Sequence, residues 1–547
     1  MAQESPASGS RASESGVWQR FRAWVLTEFP LLLFVLSVVA LRMILYKDLS
    51  FADEAGYVRT GLLMLRGVRP AWSDFPGYAG IYALAYLISR SASAAYFIGQ
   101  AVAAATIVLG TWVGVRMFAS SRAAFATCVL VTALGAPYVW PAPGTVAAGL
   151  LVIGCALLIA RPDAAGCALA SLFFWAAFAT RSEFWPAALA CSVCTLWYLI
   201  RDVRAMGGGA PASGGRTARM HLVLPALSLL IPVALVSLGL PLGSGRLWIA
   251  FGQHYALVHP IAGQSPWLDW QAVLARDFGT ASSIPAAALA APEKFWSFLG
   301  GNVLRTPLYL GGIMLDRHSP FVGAVALSAL ASLMLLTPLA VVFARWLSLR
   351  RTARAPGARR VRMRVAYLPI IVLAVVNIAI LIVIFPRDHY IVLWVPVLAV
   401  LSGVLAERTF SPKVAANFFT AAMLLVLLPM VASTFYNMAR VPEKPLLAAV
   451  DAADSLPGHH VLVSQDWGLS VYARDLSETS VGSIAATHVP FAAYARAHNV
   501  DMVLIDSDLE SADSSVLGLR DFVVNPRKFG FSPIVPGSQL WVRSSER

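Results

Sequence analysis

The chain has 547 residues, 58% of them hydrophobic and only 13% charged, with a net charge of +13. Its mean hydropathy of +0.68 and its repeated apolar runs of about twenty residues, the length that crosses a bilayer, exclude an ordinary soluble globular protein. The basic excess lies between the apolar runs, where membrane topology accounts for it, so nucleic acid is not an expected partner.

Residues 1–16, rich in Ser, Ala and Glu, read as a disordered cytoplasmic tail. A cleaved signal peptide is not expected, because the first apolar run is followed by many more. The first span is expected from Phe29 to Tyr46, interrupted by Arg42. A loop to about Gly77 follows, carrying Asp53 and Glu54 side by side and the stretch Pro70 to Pro76. Ile81 to Ile88 is apolar but short, and reads as a surface or re-entrant helix, with a full crossing as the alternative. Further spans are expected at Tyr96–Val115, Phe125–Tyr138, Thr145–Ala160, Ala165–Ala179, Phe184–Ile200 and Leu222–Leu240. Beyond an outer loop from Pro241 to about Pro320 come Phe321–Phe343, Val365–Phe385, Ile391–Ala406 and Val414–Ala432. The total is about eleven crossings with a ~19-residue window.

In this scheme every arginine-rich loop falls on one side, which the positive-inside rule labels cytoplasmic. Counting Ile81 to Ile88 as a crossing would put the arginine clusters on the outside, so the non-crossing reading is preferred. The membrane domain then covers 17–433, with outer loops 47–95 and 241–320. After Thr434 the pattern changes. His460–Val463, Val500–Ile505 and Gln539–Val542 read as buried strands and Phe491–Ala497 as a helix between them. Residues 434–547 are thus expected to form a small α/β domain outside the cytoplasm. The five cysteines all lie in apolar stretches, so Cys191-x-x-Cys194 reads as a pair of core residues rather than a redox motif.

Ionisable groups close to lipid lose hydration and usually serve a function. Asp53 and Glu54 sit just past the first membrane exit, although acids at a helix start also simply favour its dipole. An Asp-Glu pair directly after the first span, in a loop of amphipathic helices, resembles the GT-C superfamily of membrane glycosyltransferases. Its bacterial members move sugars from polyprenyl-phosphate donors; protein O-mannosyltransferases and 4-amino-arabinose lipid A transferases are relatives. The resemblance implies Asp53 as general base, with Glu54 orienting the base or binding substrate.

Cations must also meet the departing phosphate. The outer loops offer Arg59, Arg66, Arg181, Arg305 and Arg387 among others. Arg387-Asp388-His389-Tyr390 resembles the Arg/His-Tyr entry to a late helix in these transferases, and implies donor contacts from Arg387, His389 and Tyr390. Snorkelling and an aromatic belt explain the same boundary without function. Arg181-Ser182-Glu183 resembles a short polar turn of the family, or is a plain ion pair between helices. Trp248, His254, His259, Trp267, Trp270 and Trp296 in the long outer loop suit either a sugar-binding wall or a surface-lying segment. Asp506-Ser507-Asp508 copies the Asp-x-Asp metal motif but ends a strand outside the cytoplasm, where it reads as a loop feature. No Walker A or dinucleotide glycine pattern is present. No cofactor is expected; a divalent metal stays open without a ligand motif to support it.

The expected protein is a GT-C-like polytopic α-helical membrane protein of a bacterial inner membrane. It would move a sugar from a polyprenyl-phosphate donor to a cell-envelope acceptor on the periplasmic face. A transporter or flippase of a lipid-linked glycan is the rival, and would place charges in mid-span.

Overall fold

The computed structural model describes residues 11–50, 53–71, 75–139, 142–207, 215–237, 246–261, 266–267, 269–316, 323–352, 365–440, 444–465, 468–473, 475–485, 487–505, 509, 516–534 and 539–544. The Asp506-Ser507-Asp508 stretch lies outside the described residues.

The chain is mostly helical. Its first half runs through α1 (Arg11–Tyr46), α2 (Asp53–Leu65), α3 (Pro76–Ser89), α4 (Ala92–Arg116), α5 (Ser121–Thr132), α6 (Pro143–Ala160), α7 (Ala164–Thr180) and α8 (Trp185–Gly207). Then come α9 (Gly215–Ser237), α10 (Arg246–Val258), α11 (Trp270–Phe278), α12 (Ile284–Ala290), α13 (Pro292–Met314) and α14 (Ala324–Thr352). The bundle closes with α15 (Leu368–Val383), α16 (Asp388–Ile391), α17 (Trp394–Thr409), α18 (Pro412–Ala422) and α19 (Leu428–Arg440), and α20 (Pro445–Asp454) leads into the C-terminal sheet.

Sequence sets many of the boundaries. Ser91 caps α4 by accepting from the Ala94 N–H, Ser120 caps α5, and Asp163 caps α7 through the Gly166 N–H at 2.7 Å. Such a cap contributes about 1 kcal/mol. Prolines open α3 and α6 where no N–H is needed. Gly110 on α4 faces the backbone of Gly149 on α6, so the two helices meet main chain to main chain.

Among the described residues, eight helical stretches are long and apolar enough to cross a membrane. Each coincides with an expected span. The other three expected positions hold shorter apolar helices, Ser121–Thr132, Ala164–Thr180 and Val223–Ala234, so length alone does not meet the count of eleven. The reason is visible at α5, whose residues 123–132 are all buried. A helix enclosed by protein need not match the ~30 Å of hydrocarbon. At 14 residues, α3 is roughly 21 Å long.

The bundle has two chemically distinct ends. At one end Arg116 pairs with Glu28 at 3.0 Å and Glu407 accepts from the Ser120 N–H at 2.8 Å. Arg161, Arg201, Arg204 and Arg408 close helices at this end too. The opposite end collects the start of α2, the start of α6, the turn after α7 and the α15–α16 junction. There the loop expected at 241–320 contributes α10 to α13, whose Phe251, Tyr255, Phe278, Phe295 and Phe298 pack against Ile380, Ile384 and Phe385 of the α15 terminus.

The C-terminal sheet is docked at that same end. Its order is β2-β1-β3-β5-β4, from strands β1 (His460–Ser464), β2 (Leu476–Ser480), β3 (Met502–Leu504), β4 (Phe531–Pro533) and β5 (Leu540–Arg543). β2, β1 and β3 are parallel, and β5 and β4 antiparallel. β2 and β4 were not foreseen. Asp48, two residues past α1, accepts from the Leu446 and Leu447 N–H groups at 2.7 and 3.1 Å, capping α20 from outside its own segment. The Tyr472 hydroxyl donates to the Ser50 carbonyl at 2.8 Å, and Lys444 to that of Ile44 at 2.6 Å. One apolar cluster runs unbroken from Tyr57, Tyr78 and Tyr82 to Leu462, Met502 and Val542.

Positive-inside asymmetry predicts that the arginine-rich end is cytoplasmic. With the native cysteines replaced, an impermeant maleimide added to spheroplasts should label Ser477→Cys and spare Lys413→Cys. The reverse pattern would invert the orientation.

Candidate active site

Asp53 and Glu54 open α2 together but face different surroundings. Asp53 is exposed, and Glu54 has no exposed surface. The Glu54 carboxylate accepts from the Ala142 N–H at 2.7 Å, the Tyr82 hydroxyl at 2.7 Å and the Tyr78 hydroxyl at 3.1 Å. Gln100 on α4 donates in turn to the Tyr82 oxygen at 2.7 Å. Tyr78 and Tyr82 are four residues apart on α3, so both phenols reach the same point. Burial raises the Glu54 pKa above the usual carboxylate value, and the Tyr82, Ala142 and Tyr78 donors offset part of that rise. Burial likewise keeps both phenols protonated, as donors must be. Lys47 shares this region: burial pushes its amine down to about 8 against the pull of Glu54 and Asp316.

The pair thus divides into an anchor and a free acid. Glu54 fastens the first turn of α2 to α3, α4 and the start of α6. Its carboxylate has no exposed surface, an arrangement compatible with the expected role of orienting the base. Asp53 stands in the first turn of α2 with its side chain exposed.

From the same helix a continuous belt of rings and guanidinium groups leads across the end of the bundle. Tyr57, one turn after Asp53, lies 5.7 Å from Phe75 and 5.3 Å from Tyr78 between centroids. Arg181 lies over Phe75 at 5.6 Å and over Tyr390 at 4.9 Å. The Tyr390 ring is 6.4 Å from His254, His254 is 5.8 Å from Trp267, and Arg387 stacks on Trp267 at 5.1 Å. Segments more than three hundred residues apart in sequence thereby meet at one surface.

Two cations in the belt differ in their availability. Arg181 is buried and donates through Nε to Glu183 at 2.6 Å. Burial works against its charge, yet Glu183, with Tyr390 and Tyr57 nearby, raises its pKa above the usual value. Arg387 has no salt bridge among the described residues. His254 is neutral, because burial pushes its imidazole down to about 4. Its Nδ1 bonds the Ala250 carbonyl at 2.6 Å, which fixes the proton there and leaves Nε2 as the acceptor.

The expected site residues therefore separate. Arg181, Glu183, Arg387 and Tyr390 come together in the belt. His389 is buried behind it, its ring 4.2 Å from that of Tyr390. Its carbonyl presses on Gly144 so closely that a side chain there would clash, which locks α16 to the start of α6. Arg59 lies elsewhere, facing the C-terminal domain. Tyr78, Tyr82 and Gln100 were not foreseen as partners of Glu54, although polar groups at helical spacing inside an apolar run are a readable sign. Among the described residues no group of three or more His, Cys, Asp or Glu could hold a metal.

No family model and no curated protein matches the sequence. Among solved structures the chain is similar to the Archaeoglobus fulgidus oligosaccharyltransferase in the apo form, at 12% identity and a TM-score of 0.45, covering 92% of this chain and 72% of that one. It is also similar to that enzyme tethered with an acceptor peptide containing the NVT sequon, at 14% identity and a TM-score of 0.40, covering 91% and 72%. ArnT from Cupriavidus metallidurans bound to undecaprenyl phosphate gives 16% identity and a TM-score of 0.39, covering 95% and 97%. Likeness at these scores assigns neither activity nor substrate.

The anchoring role of Glu54 has a direct test. Glu54→Gln turns an acceptor of three hydrogen bonds into a group whose amide must face a donor. The expected loss is about 1–3 kcal/mol of stability, read as a lower Tm. An unchanged Tm would remove the anchor.

Proposed function

We propose that this chain is a membrane glycosyltransferase of the GT-C type, moving a sugar from a polyprenyl-phosphate donor to an acceptor hydroxyl on the extracytoplasmic face. One observation carries the reading: an exposed carboxylate, Asp53, on a turn fixed by a fully buried one, Glu54, beside a belt bearing Arg181 and Arg387. Catalysis needs such a group held in place by packing and hydrogen bonds rather than by its own reach.

In this reading Asp53 takes the proton of the acceptor hydroxyl as its oxygen attacks the anomeric carbon. The bond from that carbon to the donor phosphate breaks, and the lipid phosphate leaves with the electron pair. Arg387 meets the growing negative charge, as a fork-shaped cation suited to phosphate. Arg181 is neutralised by Glu183 and positions Tyr390 and Phe75. Flat faces of Trp267 and Tyr390 offer stacking surfaces for a sugar ring. A single displacement of this kind inverts the anomeric centre.

The transporter reading needs charge at mid-depth. The clearest span charge, Arg42, lies three residues inside the Glu28–Leu45 stretch and donates to the Tyr138 hydroxyl at 3.0 Å. It belongs to the same end as Asp53, which favours the enzyme.

Asp53→Asn keeps the shape and removes the base, so purified protein should lose ~10²–10⁴ in transfer rate with its melting curve preserved. Wild-type turnover in that variant would return the transporter to first place. Arg387→Ala should raise the KM for the donor roughly tenfold or more, the scale of one charged hydrogen bond. Arg387→Lys should recover part of it, keeping the charge but losing the fork. A donor KM unmoved in the alanine variant would take Arg387 out of the site.

A further inference from the structure

Helix α13 belongs to the stretch expected as an outer loop, yet its surface does not suit a helix in water. From Phe295 to Met314 the sequence carries one charge, Arg305. That guanidinium turns toward the protein, lying over the Phe385 ring at 5.9 Å and donating to Asn302 Oδ1 at 3.4 Å. The open side holds Trp296, Val303, Leu304 and Leu308, exposed by 66, 50, 76 and 69%. Gly300 and Pro307 lie between them, and Ser297 is the one polar residue exposed in this stretch. Steps of three and four residues put these positions on one stripe. A helix at a water boundary carries polar residues on its open side, and one that is apolar all round is enclosed by protein or lipid. Protein covers only the Phe295, Phe298 and Leu299 side.

The two ends of the helix differ in their surroundings. Near the N-terminus the half-exposed Lys294 pairs with Asp277 at 2.7 Å. Asn302 then donates to the Ile382 carbonyl at 2.9 Å, at the close of α15. Met314 lies twelve residues further, about 18 Å along the axis, and there the helix stops against α14. The Met314 carbonyl accepts from the Ser332 hydroxyl at 2.9 Å and that of Leu315 from Ser328 at 2.6 Å. The Ile313 carbonyl accepts the Gly135 N–H at 2.9 Å. Ser332 is eight residues into α14, a helix long and apolar enough to cross a membrane, and so about 12 Å down its axis. A chain end at that depth in a bilayer has no water for its carbonyls, so protein donors must supply the bonds. Here three do. Open residues on both neighbouring spans are also large and apolar, Val375 and Ile378 on α15 and Val325 and Leu333 on α14.

We infer that α13 is a re-entrant membrane helix. It enters the lipid leaflet at the Asp53 end of the bundle, its stripe covered by acyl chains, and it ends within the hydrocarbon on carbonyls that the protein satisfies. The polar end at Lys294 stays at the headgroup level, and the inward slant carries Leu308 deeper than Trp296.

Spin labels test this on the full-length protein in lipid nanodiscs, with the native cysteines replaced. Trp296→Cys, Leu304→Cys and Leu308→Cys are compared with Leu333→Cys as a lipid reference and Ser477→Cys as a water reference. Molecular oxygen, which concentrates in hydrocarbon, should relax the labels at Leu304 and Leu308 as it does at Leu333. Nickel ethylenediaminediacetate, which stays in water, should reach Ser477→Cys and Lys294→Cys and spare those two. The ratio of oxygen to nickel effect should rise severalfold from Trp296 to Leu308. Nickel access at Leu304 and Leu308 would put the stripe in water and overturn the proposal. Exclusion of both reagents there would overturn it in favour of a protein contact, and dipolar broadening between labels would identify a second copy. Equal ratios at the three positions would describe a helix lying flat on the surface, and would overturn the embedded C-terminus. The readout involves no sugar transfer, so its result is independent of the enzyme reading.

Discussion

The bundle end is organised by the burial of the Glu54 carboxylate. A carboxylate removed from water costs several kcal/mol unless donors replace its hydration, and here a backbone N–H and two phenols do so. Each donor comes from a different requirement. The phenols need α3 to turn Tyr78 and Tyr82 inward, and Gln100 needs α4 to bring its amide against them. The Ala142 N–H needs α6 to begin at Pro143 and no later. One buried charge thus ties four segments into a single arrangement, and an error in any of them would leave it unsatisfied.

The C-terminal domain extends the same constraint. Asp48 follows the first span, and by capping α20 it fixes where that domain begins. The apolar cluster that carries Tyr78 and Tyr82 continues into the sheet through Leu462 and Val542. The domain is therefore packed as a continuation of the α2–α3 layer. The cavity between them is bounded by α2 and α20, elements that Glu54 and Asp48 hold.

Much of this was readable in the sequence, with a clear limit. Apolar runs placed the long helices, because hydropathy acts through local composition. The short apolar runs around His460, Met502 and Leu540 disclosed three strands. β2 escaped because Leu476 to Ser480 is mostly polar and only partly buried, and β4 because it is three residues long. At the site, Asp53-Glu54 drew attention through its position after a span. What the two acids each do depended on contacts to Tyr82 and Ala142, 28 and 88 residues away, and no local pattern encodes those. The same limit separated Arg59 from Arg387: both read as outer-loop cations, and only packing shows that they face different spaces.

The distribution of charge with depth bears on what kind of membrane protein this is. A translocation path requires polar groups at successive levels of the bundle, since each must relieve the desolvation of a passing solute. In this chain the buried interior of α4 to α7 is built from Ala, Gly, Val and Leu, and its polar residues there are mainly Thr and Ser satisfied by their own helix, such as Thr111, Thr127 and Thr132. Nothing of that kind lowers the cost of moving a charged headgroup through the bundle. The aromatic groups, with Arg181 and Arg387 among them, gather instead on one end surface, in a belt with the exposed Asp53 at its edge. A surface of that composition suits chemistry on a lipid headgroup that stays at the interface while its sugar is removed.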